Sequence, residues 1–385
     1  MDFNLNETQE LLRSTVREFA EGEIAPRCEA LDEKEEFSYE LTKKMADLGL
    51  FGVTVDPKYG GQGLDYLSYI IIIEELARVS ASQAATVAAE NSLGISPLAK
   101  FGSEAQKQKY LPDLCSGKRL WGFGLTEPDA GSDASGSKTT AELKNGKWII
   151  NGSKIFITNA ANDMTAGATV QCITGKKADG KKELSCIIVP TGTKGFTTKA
   201  MHKKLVWRAS NTAELYFNDV EVPEENILGK RGDGFKQMLD TLDSGRLAIA
   251  AMGLGGAQGS FEAAMKYSRQ RKQFGHSIGT FQVNAFKLAD CATEIEAARS
   301  LLYRACWLKD SHKPFAKEAA MSKLYCSEVM HRVANHAVQL HGGYGCMEEY
   351  PVARFYRDAK LLEIGEGTSE IQRLVIARAI GCYED

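Results

Sequence analysis

The spacing of apolar residues changes twice along the chain and divides it into three parts. In residues 1–118 the apolar positions recur every three or four residues, which predicts amphipathic helices. Asn6 followed by Gln9 predicts a capped helix start, and the apolar run from Tyr66 to Ala99 predicts two helices buried in a core. We therefore expect residues 1–118 to form an N-terminal helical domain.

Residues 119–228 show strand-like apolar runs separated by turn dipeptides. Asn145-Gly146 and Asn151-Gly152 both favour two-residue hairpin turns, so each predicts a hairpin. Further strand-like runs lie at 168–174, 184–189 and 212–222. We expect a middle antiparallel β-domain over residues 119–228.

A helical period returns at Gly232 and continues to the end of the chain. The predicted helices lie at 246–269, 282–309, 314–339 and 369–380. Ser369 and Gln372 have the spacing of a capping box, and the glycines from Gly253 to Gly259 are interpreted as sites of close helix packing. Since helices, strands and helices follow in blocks, we predict an α+β, mainly helical fold, with residues 229–385 as a C-terminal helical domain.

Composition limits the classes of function. A formal net charge of −3 gives no reason to expect nucleic acid or an anionic membrane as a partner. No apolar run reaches membrane-spanning length, and the acidic N-terminus lacks the features of a signal or transit peptide. Nine cysteines without a Cys-x-x-Cys pair favour free thiols in a reducing compartment, and the six histidines show no metal-ligand spacing. We therefore expect a cytoplasmic protein without a bound metal.

The stretch around Glu366 carries the sharpest candidate chemistry. Glu366 stands between Gly365 and Gly367, which let the backbone turn tightly and let another molecule approach closely. A helix is predicted directly afterwards, and the free N–H groups at a helix start favour anionic ligands. From these residues alone, Glu366 is either a base held on a tight loop or an exposed acid before a helix.

The run Glu366-Gly367-Thr368 before Glu370-Ile371-Gln372-Arg373 resembles the C-terminal signature of acyl-CoA dehydrogenases, in which the matching glutamate is the catalytic base. Leu125-Thr126-Glu127-Pro128, continuing to Gly131-Ser132-Asp133, is similar to the flavin-binding segment of that family. Matching motifs follow one another in the family's order from Asn4 to Gly381. The chain most resembles short-chain, butyryl-CoA dehydrogenase-like members of the bacterial type.

The resemblance implies an architecture and a reaction. It implies a C-terminal four-helix bundle, a homotetramer, and FAD between the middle and C-terminal domains. Glu366 would take the α-proton of an acyl-CoA thioester, and the flavin would accept the β-hydride. A backbone N–H at Glu366 and a flavin ribityl hydroxyl would stabilise the enolate, and burial should raise the pKa of Glu366. Electrons would then pass to electron-transferring flavoprotein.

The resemblance also implies the contact residues, position by position. Those assigned to FAD are Phe123, Leu125, Thr126, Ser132, Phe156, Thr158, Arg271, Phe274, Gln282, Gln339, Gly342, Gly343, Thr368 and Glu370. Those assigned to acyl-CoA are Ser132, Asp243, Arg246 and Gly367. The family often has Trp at position 156 and a neutral residue at position 370. Asp243 and Arg271 also have an ordinary explanation, because acids at helix starts and bases at helix ends complement the helix dipole.

Two further positions concern the acyl group. Gly365 stands where short- and medium-chain relatives commonly have Tyr, so the pocket should admit branched, cyclic or aryl-bearing chains unless another side chain fills the space. Glu90 falls in a segment that lines the base of the acyl pocket in relatives. We expect a solvated helix end there, with a contact to a polar acyl group or a second base as the alternatives. No arginine occurs between Arg78 and Arg119, where glutaryl-CoA dehydrogenases bind the substrate carboxylate, which disfavours a dicarboxylyl substrate.

Three other functions stay open from the sequence. An acyl-CoA oxidase would share the base and the flavin, although many oxidases carry a long C-terminal extension that is not seen in this sequence. An enoyl- or aryl-acryloyl-CoA reductase would run the same chemistry in reverse. A non-enzymatic helical scaffold would bind no flavin, and the presence of Glu366 and Thr126 counts against it.

Overall fold

The fold has the predicted class, with helical parts at both ends and a sheet between them. The computed structural model describes residues 4–383. Its first helices are α1 Glu7–Phe19, α2 Cys28–Lys34, α3 Tyr39–Asp47, α4 Tyr66–Ala77, α5 Ala81–Ala89, α6 Ser96–Phe101 and α7 Glu104–Cys115. The predicted cap at Asn6 is confirmed, because its side chain accepts the Gln9 N–H at 2.9 Å and its own N–H donates to Gln9 at 3.1 Å. Helices α4 and α5 are buried as expected, and a π-helical turn, Glu90–Ile95, follows them.

The middle part is a seven-stranded sheet. Its strands are β1 Leu120–Gly124, β2 Thr140–Lys144, β3 Lys147–Thr158, β4 Thr165–Lys176, β5 Lys182–Pro190, β6 Phe196–Ala200 and β7 Thr212–Pro223. Their order is β1-β4-β2-β3-β7-β6, and β5 pairs with β4 in antiparallel orientation outside this path. Most strand pairs are antiparallel, as expected, but β1 and β2 each pair with β4 in parallel. The long connection from β1 through the β2–β3 hairpin lets the chain re-enter the sheet in its original direction.

Only one of the two predicted hairpins forms. Asn145-Gly146 makes the expected turn between β2 and β3, with Lys144 opposite Lys147. At Asn151-Gly152 the prediction is wrong, since β3 continues through it and its register with β7 shifts there. The Asn151 side chain donates to Asp219 Oδ1 at 3.0 Å and accepts the Asp219 N–H at 2.9 Å. These contacts with a distant strand make the dipeptide a β-bulge rather than a turn.

The C-terminal part consists of α8 Gly234–Gln270, β8 Lys272–Gln273, β9 His276–Ser277, α9 Gln282–Asp310, α10 Ala316–His341, α11 Pro351–Leu362 and α12 Ser369–Ala379. The first helix begins well before the predicted start at Arg246, and α11 was not predicted. The cap of α12 is Thr368, whose hydroxyl accepts the Ile371 N–H at 3.3 Å, so the predicted cap at Ser369 is wrong by one residue. No helix within residues 4–383 is long and apolar enough to cross a membrane.

The helices of both ends share one hydrophobic core. The run of glycines in α8 allows this, as predicted. A Cβ atom on Gly255 would overlap the carbonyl oxygen of Glu74 in α4, and one on Gly259 would overlap the carbonyl oxygen of Arg78. Glycine therefore lets α4 lie directly on α8, which brings the N-terminal helices against the bundle.

Candidate active site

A tight loop between α11 and α12 carries Glu366. Glu366 and Gly367 have φ angles of +53° and +100°, so the chain makes a left-handed turn at the predicted base. Gln372 is fully buried, and its Nε2 donates to the carbonyl oxygens of Glu366 at 3.3 Å and Gly367 at 2.9 Å. Gln372 therefore anchors this loop instead of completing the capping box predicted with Ser369.

The carboxyl group of Glu366 lies against α8. A Cβ atom on Gly245 would overlap Oε2 of Glu366, so glycine at this position leaves the room that the carboxyl group occupies. The Oε2 atom is buried and has no hydrogen-bond partner among residues 4–383. A buried polar atom without a partner is costly, and such atoms concentrate at sites completed by a ligand. The carboxyl group is therefore available to a bound substrate.

Burial also sets the acidity of this group. It raises the pKa of Glu366 to about 7, against the opposing effects of Lys323 and Arg246. The shift has the expected direction, and a carboxylate with this pKa can take up a proton near neutral pH. Lys323 was not among the predicted site residues. Its signal in the sequence is a charged residue directly after the small, buried positions Ala319, Ala320 and Ser322 of a predicted helix.

Substituting Gly245 should displace the Glu366 carboxyl group without removing it. We expect Gly245→Ala to lower the rate of acyl-CoA-dependent flavin reduction by about tenfold or more, because the added methyl group claims the space of Oε2. Stopped-flow absorbance at the flavin band measures this rate. Gly22→Ala is the matched control, since a Cβ atom there meets no atom within 4 Å and Gly22 lies outside the candidate site. An unchanged rate in Gly245→Ala would contradict the observed packing of the carboxyl group.

Asp243 and Arg246 lie on the same helix as Gly245. Arg246 is buried and forms an ion pair with Asp243, and its Nε atom has no partner among residues 4–383. Both residues stand well inside α8, which begins at Gly234, so the helix-dipole explanation for Asp243 is wrong. Burial raises the pKa of Asp243 and the guanidinium of Arg246 opposes this. Between them in the sequence, Gly245 contacts the Glu366 carboxyl group, and Arg246 acts on its pKa.

A buried ion pair between Lys154 and Glu127 holds the predicted flavin segment in place. Lys154 of β3 donates to the carbonyl oxygen of Leu125 at 3.1 Å and to the carboxylate of Glu127 at 2.7 Å. Glu127 also accepts the N–H groups of Lys138 at 2.6 Å and Thr139 at 3.1 Å. These bonds fix the backbone on both sides of Thr126. Phe123 and Leu125 are buried in the core, Thr126 is half-buried and Ser132 is exposed.

Phe156 and Thr158 lie on β3 beside this segment. Phe156 has a φ angle of +61°, and its side chain is 62% exposed at a break in register between β3 and β7. A large aromatic side chain in the left-handed region is strained, and such strain is typical of binding sites. An exposed ring on a rigid strand, next to the backbone around Thr126, offers a stacking surface for a planar aromatic group. These residues therefore fit an isoalloxazine ring.

The remaining candidate FAD contacts form two groups that lie apart from each other within one chain. Six exposed residues lie where α8 ends, α9 begins and α10 ends: Arg271, Phe274, Gln282, Gln339, Gly342 and Gly343. Thr368 and Glu370 lie instead at the start of α12, next to Lys323 of α10 through its bond to Gly367. Since α10 rises about 1.5 Å per residue, Gln339 is about 24 Å along the helix from Lys323.

The structure places the two residues expected near the acyl group, Glu90 and Gly365, in different environments. The expectation of a solvated helix end at Glu90 is wrong, because Glu90 is fully buried under β1. Its Oε2 accepts the Trp121 N–H at 2.9 Å, and burial raises its pKa to about 8, so it is mostly uncharged at neutral pH. Next to the base, a Cβ atom on Gly365 would meet only Leu361 within 4 Å. The space directly at the Cβ position of residue 365 is therefore bounded by Leu361 alone among residues 4–383.

Comparison with known proteins covers nearly the whole chain. Three family models match it: the acyl-CoA dehydrogenase N-terminal domain at residues 6–118, the middle domain at 122–220 and the C-terminal domain at 232–381. A short-chain-specific acyl-CoA dehydrogenase of Clostridium acetobutylicum is 46% identical over 380 residues, which is 99% of this chain and all of that protein.

Solved structures are similarly close. Butyryl-CoA dehydrogenase of Megasphaera elsdenii superposes with a TM-score of 0.95 at 44% identity, over 99% of this chain and all of that one. A chain from the structure of the electron-transferring flavoprotein of Acidaminococcus fermentans, determined towards a mechanism of flavin-based electron bifurcation, gives a TM-score of 0.96 at 45% identity, with both chains fully covered.

Proposed function

Because this chain belongs to the acyl-CoA dehydrogenase family, we propose that it converts an acyl-CoA thioester to the 2-enoyl-CoA, with Glu366 taking the α-proton. The observation that carries this proposal is the Glu366 carboxyl group, which has a buried, unpartnered oxygen and a pKa raised to about 7. A base must be within reach of its proton and close to the working pH in acidity. The pKa of Glu366 meets the condition on acidity. The space that Gly245 leaves beside α8 allows the carboxyl group to be within reach of the proton.

FAD is the cofactor of this family, and when bound it supplies the acceptor for the β-hydride. In this chain, Phe156, Thr126 and Thr158 would hold the isoalloxazine ring, with the ion pair of Lys154 and Glu127 keeping their segment rigid. Asp243 and Arg246 would hold the CoA thioester beside the base. The backbone N–H of Glu366 would donate to the thioester oxygen, where negative charge develops as the α-proton leaves.

We propose a short, branched or cyclic acyl group as substrate. Glycine at position 365 supports this, because it puts no side chain of its own beside Glu366, and a Cβ atom there would meet only Leu361 within 4 Å. The butyryl-CoA and short-chain-specific relatives support the short end of that range. Glu90 does not support a charged acyl group, since its carboxyl group is bonded to the sheet and mostly uncharged.

We further propose electron-transferring flavoprotein as the electron acceptor and a homotetramer as the assembly. The close relative from the electron-transferring flavoprotein structure supports the first. The separation of about 24 Å along α10 between two sets of candidate FAD contacts supports the second. Residues from two subunits would together complete each FAD site.

A panel of acyl-CoAs mixed anaerobically with the purified protein tests the substrate proposal. Butyryl-, isobutyryl- and cyclohexanecarboxyl-CoA should reduce the flavin faster than octanoyl- or phenylpropionyl-CoA. Rapid reoxidation of the reduced protein by oxygen would favour an oxidase. Reoxidation by an enoyl-CoA, without measurable reduction by any saturated acyl-CoA, would favour the reductase.

A further inference from the structure

Lys323 is a buried cation that the proposed chemistry leaves unexplained. It lies on α10 and its residue exposure is 0%. Its ammonium group donates to the carbonyl oxygen of Gly367 at 2.7 Å, and within residues 4–383 no carboxylate lies within 4 Å of it. A buried ammonium with a neutral partner is less stable than an apolar side chain of the same length. Stability of the fold therefore gives no reason for a lysine here.

The bond of Lys323 acts on the loop that carries Glu366. Lys323 and Gln372 both donate to the carbonyl oxygen of Gly367, the residue directly after the base. One turn further along α10, Ser327 donates to the carbonyl oxygen of Leu362 at 2.9 Å. Helix α10 therefore holds the loop at its start and at its turn. This matters because the left-handed backbone at Glu366 is unfavourable for a residue with a side chain and needs such restraints.

Lys323 is also one of two cations that act on the Glu366 carboxyl group. The other is Arg246 of α8, which is already paired with Asp243. Helix α4 faces the same carboxyl group with Tyr66 and Tyr69, whose pKa values burial raises, so both stay neutral. Burial lowers the pKa of Lys323 to about 8, and Glu366 opposes this, so at neutral pH the ammonium form predominates.

We propose that Lys323 is a positioning residue for the base. It fixes the Gly367 carbonyl group and thereby holds the Glu366 carboxylate in its place beside Gly245. Its charge also favours the ionised carboxylate. This inference rests on the proposed role of Glu366 as the α-proton base. Lys323 itself touches no reacting atom. Two variants separate its two effects, since Lys323→Met removes both the bond and the charge, whereas Lys323→Gln removes the charge and keeps an N–H donor.

The test is the pH dependence of kcat/KM with butyryl-CoA and an artificial acceptor. An ionised base is active above its pKa, so the wild-type value should fall as the pH drops below about 7. Loss of the nearby cation raises the pKa of Glu366, so both variants should move this acid limb upward by about one pH unit. At the pH optimum, kcat should fall about tenfold in Lys323→Met and less in Lys323→Gln, because only the latter keeps an N–H donor for the loop.

Lys317→Met on the same helix is the control, since Lys317 is partly exposed and pairs with Glu318 rather than with the loop. Bound FAD per chain is measured for every variant. If Lys323→Met loses FAD, the test rests on Lys323→Gln. An acid limb of the kcat/KM profile that is unchanged from wild type in that variant overturns the proposal. A wild-type protein that no acyl-CoA reduces would instead refute the proposed function. A reducible wild type whose Lys323 variants match it in both acid limb and kcat refutes this inference alone.

Discussion

Glu366→Gln is expected to lower the rate of flavin reduction by acyl-CoA about 10³-fold, while the protein keeps its FAD. Glutamine has nearly the shape of glutamate and fits the space beside Gly245, but its amide group cannot take up the α-proton. Among residues 4–383, the charged groups that act on this carboxyl group are the cations Lys323 and Arg246, not a second carboxylate. Rapid anaerobic mixing with butyryl-CoA measures the rate.

Glu349→Gln provides the matched control for this experiment. Glu349 is exposed and lies before α11, away from the loop, so its substitution should leave the rate unchanged. Both variants should show the flavin spectrum and FAD content of the wild type. A Glu366→Gln protein that still reacts within about tenfold of the wild-type rate would remove Glu366 as the base.

Lys154→Met is expected to destabilise the folded protein by about 3–5 kcal/mol, because it leaves the carboxylate of Glu127 buried without its cation. The side chains of Lys154 and Glu127 are 0% and 5% exposed, and their charged atoms are 2.7 Å apart. The backbone at Leu125 loses an anchor at the same time, so FAD should be lost on gel filtration. Thermal unfolding and the ratio of flavin to protein absorbance measure the two effects.

The chain also contains an ion pair of the same length that is exposed instead of buried. Lys138 and Asp129 are also 2.7 Å apart, but their side chains are 70% and 72% exposed. Lys138→Met should therefore leave both the stability and the FAD content essentially unchanged. The double variant Lys154→Met with Glu127→Gln should be more stable than Lys154→Met alone, since no unpaired charge stays buried. Equal effects of Lys154→Met and Lys138→Met would contradict this account of the flavin segment.

The parts of the fold that the sequence predicts well depend on neighbours in the chain. The cap at Asn6, the turn at Asn145-Gly146 and the helical periods of α9 and α10 all involve residues within a few positions of one another. The predictions that failed depend on distant partners. Asn151-Gly152 is a bulge because Asp219 bonds to it, and Glu90 is buried under β1 although the local sequence resembles a helix end.

The residues of the candidate site also divide into those that neighbours in the chain predict and those that depend on distant partners. Glu366 and its two glycines stand out in the sequence because the turn is local. Lys323 lies 43 positions earlier (366 − 323), and Gly245 lies on yet another helix, so neither could be linked to the base before the helices were placed. A lysine on an apolar helix face is the one signal that was available. It indicates a buried cation, but it does not tell which loop the cation holds.

The most direct test of the proposed reaction is an anaerobic titration of the FAD-loaded protein with butyryl-CoA, followed by mass analysis of the product. The proposed function predicts that the flavin absorbance disappears and that 2-butenoyl-CoA forms in proportion to the flavin reduced. It also predicts that Glu366→Gln stays yellow in the same titration. Loss of flavin absorbance without 2-butenoyl-CoA, or equal bleaching of the wild type and Glu366→Gln, would contradict α-proton removal by Glu366.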